Sequence, residues 1–374
     1  MKISCDGLLH LIQLKGTDMK SISVLIKPAS SLCNLRCRYC FYADIAENRD
    51  IPSTGIMKEE TADTVIERIA EVLGERGTAN ISFQGGEPTV AGLDYFIHFV
   101  EKMKAYSEIR VNYSLQTNAT LITEEWARFF HENSFLIGVS LDGYKLNTDQ
   151  FRFDAEHNSV FERIMDSIKL LRKYRVEFNI LTVVTADLAA HARGLFRFYK
   201  EQKFDYIQLI PCLPGFYAEV DEFALTPDQY ASFYIEFFDE WYREVQKGRI
   251  INISLFDNIY GMMQGQMPYQ CGMLGRCTMQ FVIEANGDVY PCDFYCLDEY
   301  RLGNLCDLSF PALAEKARSF IAESKCTKMP CETCRYIRIC NGGCRRQNIC
   351  YLNDESCAYQ KVLDHIIPLL QRLR

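Results

Sequence analysis

Between residue 22 and about residue 248, short β-rich runs alternate with helical stretches. This alternation constrains the fold more than any other feature of the chain. The runs are "SVLIKP" (23–28), "NISFQGG" (80–86), "VNYSLQTN" (111–118), "LIGVSLDG" (136–143), "VEFNILTVV" (176–184) and "DYIQLIPC" (205–212). Between them, segments such as "KEETADTVIERIAEVLGERG" and "SVFERIMDSIKLLRKY" carry apolar residues at three- and four-residue steps, the spacing of one helix face. Such alternation predicts a parallel sheet. Six strands predict a six-unit partial barrel or an open doubly wound sheet. "LTPDQYASFYIEFFDEWYREVQKG" (225–248) reads as a long helix closing this half. Polar residues gather just after the predicted strands, the edge at which parallel α/β folds bind ligands.

Beyond about residue 250 the pattern changes. Strands shorten, cysteines crowd in, and "EANGDVYPCDFY" reads as a hairpin with an Asn-Gly turn. The expected organisation is an N-terminal extension over 1–21, an α/β domain over 22–249 and a cysteine-rich domain over 250–374. Acidic and basic residues are interspersed and the net charge is −8, so no basic stripe marks a nucleic-acid surface. No window is apolar and uncharged for long enough to span a bilayer. "GLLHLIQLKG" lacks the basic start and cleavage site of a signal peptide. A cytoplasmic chain with no membrane partner is expected. The cytosol keeps thiols reduced, so the 17 cysteines point to metal ligation rather than a disulfide framework.

The cysteines fall into three groups. Cys33, Cys37 and Cys40 form Cys-x3-Cys-x2-Cys just after the first strand. A disulfide needs two cysteines and structural zinc wants four ligands. Three thiolates on a four-iron cluster leave one iron open for chemistry. Buried free cysteines and a zinc site with a distant fourth ligand are the competing readings. Cys271, Cys277 and Cys292 form the second group. Cys331, Cys334, Cys340, Cys344 and Cys357 form the third. Together these eight suffice for two fully ligated four-iron clusters or two zinc sites. Cys5, Cys212, Cys296, Cys306, Cys326 and Cys350 are read as core filler or surface thiols.

With Tyr39 before its last cysteine, the first loop resembles that of the radical S-adenosylmethionine (SAM) enzymes. "GGEP" (Gly85, Gly86, Glu87, Pro88) matches that family's glycine-rich motif. Cys277-x9-Gly287-x4-Cys292, followed by the third cysteine group, resembles the SPASM domain of peptide-modifying members. Within the family, the stretches "IKPASSLCNLRCRYCFYADIAENRD", "FQGGEPTVAGL", "CTMQFVIEANGDVYPCDFY" and "CNGGCRRQ" look like the anaerobic sulfatase-maturating enzymes. The fold implied is a partial (β/α)6 radical SAM barrel followed by a SPASM domain with short β-hairpins and helices.

The activity implied is oxidation of one Cys or Ser of a sulfatase to Cα-formylglycine without oxygen. That begins with removal of a hydrogen from an unactivated Cβ, which no side chain can achieve, so a cofactor must carry it. The resemblance implies SAM bound to a 4Fe-4S cluster on Cys33, Cys37 and Cys40. It implies SAM contacts from Tyr39, Gly85, Gly86, Glu87, Gln116, Asn118, Ser140 and Arg152. Glu87 would accept from the ammonium of SAM, Arg152 would hold its carboxylate, and Tyr39 would pack on its adenine. Asp293 would be the general base, with Tyr42 and Gln84 lining the substrate channel. Two auxiliary 4Fe-4S clusters would be held by Cys271, Cys277, Cys292 and Cys344, and by Cys331, Cys334, Cys340 and Cys357. The partners implied are a sulfatase polypeptide and an electron donor such as flavodoxin or ferredoxin.

The chain departs from the family pattern in places. Ala119 stands in "QTNAT" where glycine is usual, and Thr148 stands near the place of a histidine that commonly precedes the arginine. Either Met19 starts the native chain or residues 1–18 form an extra element. One alternative is a radical SAM/SPASM maturase that crosslinks or epimerises a ribosomal peptide. Such enzymes often add an N-terminal peptide-binding domain, and only about twenty residues precede the first strand here. A zinc scaffold or iron–sulfur electron carrier is the other, but it leaves "GGEP" without a role.

Overall fold

The computed structural model describes residues 21–74, 76–218, 221–324 and 328–373. The expected N-terminal extension, with Cys5, and Cys326 lie outside the described residues, apart from Ser21. The chain forms two compact units, each assembled from several segments. The first comprises the described residues up to Val139, with Arg152–Phe178 and Thr278–Ile321. The second comprises Ser140–Phe151, Asn179–Cys277 and the described residues from Ala322 onward.

All six expected strands are present: β1 (Ser21–Ile26), β2 (Gly77–Phe83), β3 (Ile109–Thr117), β4 (Leu136–Ser140), β5 (Glu177–Val184) and β6 (Tyr206–Pro211). β1, β2, β3 and β4 pair in parallel, with Ser21 opposite Thr78, Gly77 opposite Ile109 and Ser114 opposite Leu136. In the second unit β5 pairs with β6, and β6 with the short β7 (Asn252–Ile253), also in parallel. The α/β class with a parallel sheet follows the sequence.

Helices occupy the segments between the strands. The first four are α1 (Phe41–Glu47), α2 (Glu59–Leu73), α3 (Leu93–Lys104) and α4 (Glu124–Glu132). α5 (Lys145–Phe151), α6 (Phe161–Lys173), α7 (Ala186–Ala189), α8 (Ala192–Gln202) and α9 (Pro227–Gln246) follow. α2 buries Ala62, Val65, Ile66, Ile69 and Leu73, the stripe its periodicity requires. α9 begins where a capping box says it should: Thr226 and Gln229 exchange hydrogen bonds and Pro227 follows the cap.

Two features fix the site. The Asn-Gly hairpin forms from β8 (Val282–Ile283) and β9 (Asp288–Tyr290), with Gly287 at φ +86°. β8 also pairs in parallel with β1, the Leu25 and Lys27 N–H groups donating to the Phe281 and Ile283 carbonyls. A short β10 (Gly303–Asn304) completes the edge, giving the order β10-β9-β8-β1-β2-β3-β4 in the first unit. This joins the cysteine-rich hairpin to the strand that precedes the first cysteine loop. An aromatic core of Phe83, Phe96, Phe99, Phe130 and Phe135 backs the sheet. Each such side chain contributes ~1.5–3 kcal/mol by burial.

Candidate active site

Cys33, Cys37 and Cys40 lie on the loop between β1 and α1, partly exposed. The loop is held from two sides. Arg36 N–H donates to the Phe153 carbonyl at 2.8 Å, and Asn118 Nδ2 donates to Asn34 Oδ1 at 2.9 Å. Donors also face the sulfurs: Leu35 N–H and Asn118 Nδ2 lie 3.3 and 3.8 Å from Cys33 Sγ, and Arg152 Nη1 lies 3.9 Å from Cys37 Sγ. The Arg152 guanidinium stands over the Tyr39 ring, 5.4 Å from its centroid. Burial, with Glu87 and Cys40 nearby, pushes the Cys33 thiol up to about 11. A bound cation reverses such crowding of potential negative charge. Soft thiols on one loop, with N–H donors turned toward them, fit an iron–sulfur cluster.

The glycine motif follows β2 and packs on this loop. A Cβ at Gly86 would lie 2.2 Å from the Leu32 carbonyl oxygen, and Gly86 sits at φ +48°, so only glycine fits. Glu87 N–H donates to that same carbonyl at 2.8 Å. The Glu87 carboxylate is buried. Its Oε1 accepts from Thr89 N–H, Thr89 Oγ1 and Thr117 Oγ1, and its Oε2 accepts from Asn118 N–H at 2.6 Å. Burial raises its pKa against the pull of these donors. Glu87 thus clamps the end of β2 to the end of β3. Gln116 lies on β3 and Asn118 just beyond it, while Ser140 is the last residue of β4, in the second unit.

Ala119, the unusual alanine, is fully buried at φ +60°, the left-handed region that explains the family's glycine. Its carbonyl accepts from Ser167 Oγ. Thr148 is buried on α5 and donates to the Gly143 carbonyl at 3.2 Å.

The third feature joins three separated residues. Tyr42 on α1 donates to Asp293 Oδ2 at 2.5 Å, and its oxygen lies 3.2 Å from Gln84 Oε1. A phenol has one hydrogen, which the shorter contact takes. The Gln84 amide, turned over, donates to the phenol oxygen. Asp293 opens the turn after β9, and its own N–H donates to Gln280 Oε1. Its side chain keeps 13% of its surface exposed, while Oδ1 is buried.

Sequence reasoning missed the charges behind this group. Lys27 Nζ lies 3.3 Å from Asp293 Oδ1 and 3.7 Å from Glu284 Oε1, and Arg49 Nη1 lies 2.7 Å from the same Glu284 oxygen. The available signal was a lysine directly ending the apolar run "SVLIK". Cys296, read as filler, is Lys27's third neighbour, its Sγ at 3.3 Å.

The remaining cysteines group as follows. Burial and the nearby Cys344 and Cys277 push the Cys271 thiol up to about 12. A Cβ on Gly272 would lie 3.0 Å from Cys344 Cβ. Burial, with Cys334 and Cys357 nearby, takes Cys340 to about 11. Cys331 opens toward Cys334, whose N–H faces its carbonyl at 3.5 Å. Cys292 ends the hairpin in the first unit, next to Asp293. Among the described residues, no three such side chains close on one point as around a single ion. Cys271, Cys277 and Cys344 neighbour one another, and Cys340 neighbours Cys334 and Cys357; neighbouring thiols are the donors an iron–sulfur cluster takes.

Residues 28–189 match the model of the radical SAM superfamily, and residues 271–336 match that of SPASM, an iron-sulfur cluster-binding domain. The fold and the cysteine loop thus define a radical SAM chain with an auxiliary-cluster domain. The cysteine-type anaerobic sulfatase-maturating enzyme of Clostridium novyi (strain NT) is 43% identical over 334 residues, covering 88% of this chain and 89% of that one. The serine-type enzyme of Bacteroides thetaiotaomicron is 29% identical, covering 95% and 92%. The solved structure of native anSMEcpe with bound AdoMet and Kp18Cys peptide matches with a TM-score of 0.87 at 38% identity, covering 94% of this chain and 99% of that one. The chain belongs to the anaerobic sulfatase-maturating enzymes.

Proposed function

We propose that the chain converts a cysteine of a sulfatase polypeptide to Cα-formylglycine, with Asp293 as the general base. Cysteine is favoured over serine because the cysteine-type relative is 43% identical and the serine-type 29%. The observation that carries the base assignment is the hydrogen-bonded group of Tyr42, Gln84 and Asp293, reached from three separate segments. Cys33, Cys37 and Cys40 would hold a 4Fe-4S cluster that, with SAM bound, would supply the radical chemistry needed at the substrate Cβ. Arg152, Tyr39, Gly85, Gly86, Glu87, Gln116, Asn118 and Ser140 would contact bound SAM. Glu87 acts there mainly through Asn118, whose backbone it holds.

Taking the Cβ hydrogen atom and the thiol proton leaves one electron, which an auxiliary cluster would accept, and the thioaldehyde so formed exchanges its sulfur for the oxygen of water, releasing hydrogen sulfide. Asp293 accepts that proton, and Tyr42 holds the carboxylate toward the substrate. Gln84 orients Tyr42 and lines the channel. Cys271, Cys277, Cys292 and Cys344 hold one auxiliary cluster, and Cys331, Cys334, Cys340 and Cys357 the other. Full thiolate ligation suits them to electron transfer or structural support rather than substrate binding. The domains divide near residue 250. The enzyme works in the cytoplasm, with an electron donor such as flavodoxin or ferredoxin. No helix among the described residues is long and apolar enough to cross a membrane.

Replacing Asp293 with alanine tests the base. Formation of 5′-deoxyadenosine should survive while formylglycine falls by roughly a hundredfold or more, the usual worth of a general base. Equal loss of both products would remove Asp293 from that role.

A further inference from the structure

We propose that Lys27 is a positioning residue for the Asp293 carboxylate, and that Glu284 and Arg49 exist to keep its charge in the interior. The inference rests on Asp293 being the base.

Lys27 directly follows β1 and is 2% exposed. An ammonium so buried is costly unless its donors meet acceptors. It donates to Cys296 Sγ at 3.3 Å and makes ion pairs, without hydrogen-bond geometry, to Asp293 Oδ1 at 3.3 Å and Glu284 Oε1 at 3.7 Å. It also stands 4.7 Å from the centroid of the Tyr42 ring. Lys27 therefore touches both members of the Tyr42–Asp293 pair. With Tyr42 on Oδ2 and Lys27 on Oδ1, the carboxylate cannot turn about its Cβ–Cγ bond without losing a contact.

The lysine's own course is fixed at both ends. Its N–H donates to the Ile283 carbonyl at 2.8 Å, next to Glu284. Its stem fills the space that Gly85 leaves open: a Cβ there would lie 2.6 Å from Lys27 Cγ and 2.7 Å from Cδ. The first glycine of the motif thus admits a side chain of this protein.

The charges balance within the group. Lys27 and Arg49 carry two positive charges, and Glu284 and Asp293 two negative ones. Glu284 is 1% exposed at its side chain. Burial opposes its charge, but Lys27 and Arg49 hold its pKa below the usual value. Arg49 is held further by Tyr290, whose hydroxyl lies 3.4 Å from Nη2. Removing Lys27 alone leaves one negative charge in excess. Removing Glu284 with it restores balance but not the contact to Asp293.

This separates positioning from mere support. Reconstituted wild type, Lys27→Met, Glu284→Gln and the double variant would be compared without oxygen. The readouts are iron content, thermal unfolding, the kcat and KM for a cysteine-containing sulfatase peptide, and formylglycine formed per 5′-deoxyadenosine. The double variant should regain the iron content and melting temperature that Lys27→Met loses. Its formylglycine yield per 5′-deoxyadenosine should stay roughly ten- to a hundredfold below wild type, the penalty of a misplaced catalytic group, with the loss in kcat rather than KM. A double variant as well coupled as wild type would overturn the positioning role. One that does not regain stability would overturn the charge-balance role. Wild type that makes no formylglycine would instead refute the function on which the inference rests.

Discussion

Tyr42 and Asp293 are 251 positions apart in sequence and 2.5 Å apart in space. Their contact makes a phenol the partner of a carboxylate, a charge-assisted bond worth ~1.5–3 kcal/mol. Tyr42→Phe keeps the ring against Lys27 and deletes only the donor. It should lower formylglycine formation about tenfold or more while sparing 5′-deoxyadenosine, as single-turnover assays of both products would reveal. A second residue-scale prediction concerns Ala119. A left-handed alanine costs ~1–2 kcal/mol, so Ala119→Gly should stabilise the chain by ~1 kcal/mol, measured as a shift in denaturant midpoint. The resemblance singles out both Tyr42 and Asp293, though not the bond between them. Lys27 was not legible, because sequence does not reveal that a lysine at a strand end is buried; only the hairpin packed over it does that.

At the scale of elements, the glycine motif is a steric device. Gly86 lets β2 turn under the Leu32 carbonyl, and a methyl group there meets backbone that cannot swing away. Gly86→Ala should cost ~3 kcal/mol or more and depress iron incorporation, since the displaced carbonyl belongs to the loop of Cys33. The hairpin makes a pH prediction. Glu284 ionises more readily in the folded chain than its ordinary 4.5, because Lys27 and Arg49 outweigh its burial. A depressed carboxyl contributes stability above its unfolded pKa and loses it as pH falls through the folded value. Glu284→Gln should therefore flatten the acid limb of the stability profile, seen in melting temperatures below about pH 5.

The six parallel strands and the capped α9 were legible at this scale, because each declares itself by local alternation or a cap. Predicted β2 ran on through Gly86, whereas the strand ends at Phe83 where Gly85 and Gly86 turn to positive φ. The pairing of β1 with β8 was not legible. Val282–Ile283 is two residues long, too short for a pattern, and its partner lies more than 250 positions away.

For the whole molecule, the proposed function distributes eleven cysteines over three clusters, with only the one on Cys33, Cys37 and Cys40 open to SAM. Alanine at Cys33, Cys37 or Cys40 should abolish 5′-deoxyadenosine formation and remove one cluster in three from the iron content. Retained cleavage of SAM would break the assignment. The central claim is the activity itself, and mass spectrometry tests it most directly. Reduced, reconstituted enzyme would be mixed under strict anaerobiosis with SAM and a peptide carrying the sulfatase motif Cys-x-Pro-x-Arg, with the serine version alongside. The proposed function predicts 5′-deoxyadenosine together with a cysteine peptide that has lost two hydrogens and exchanged sulfur for oxygen. 5′-Deoxyadenosine beside two unchanged peptides would contradict it.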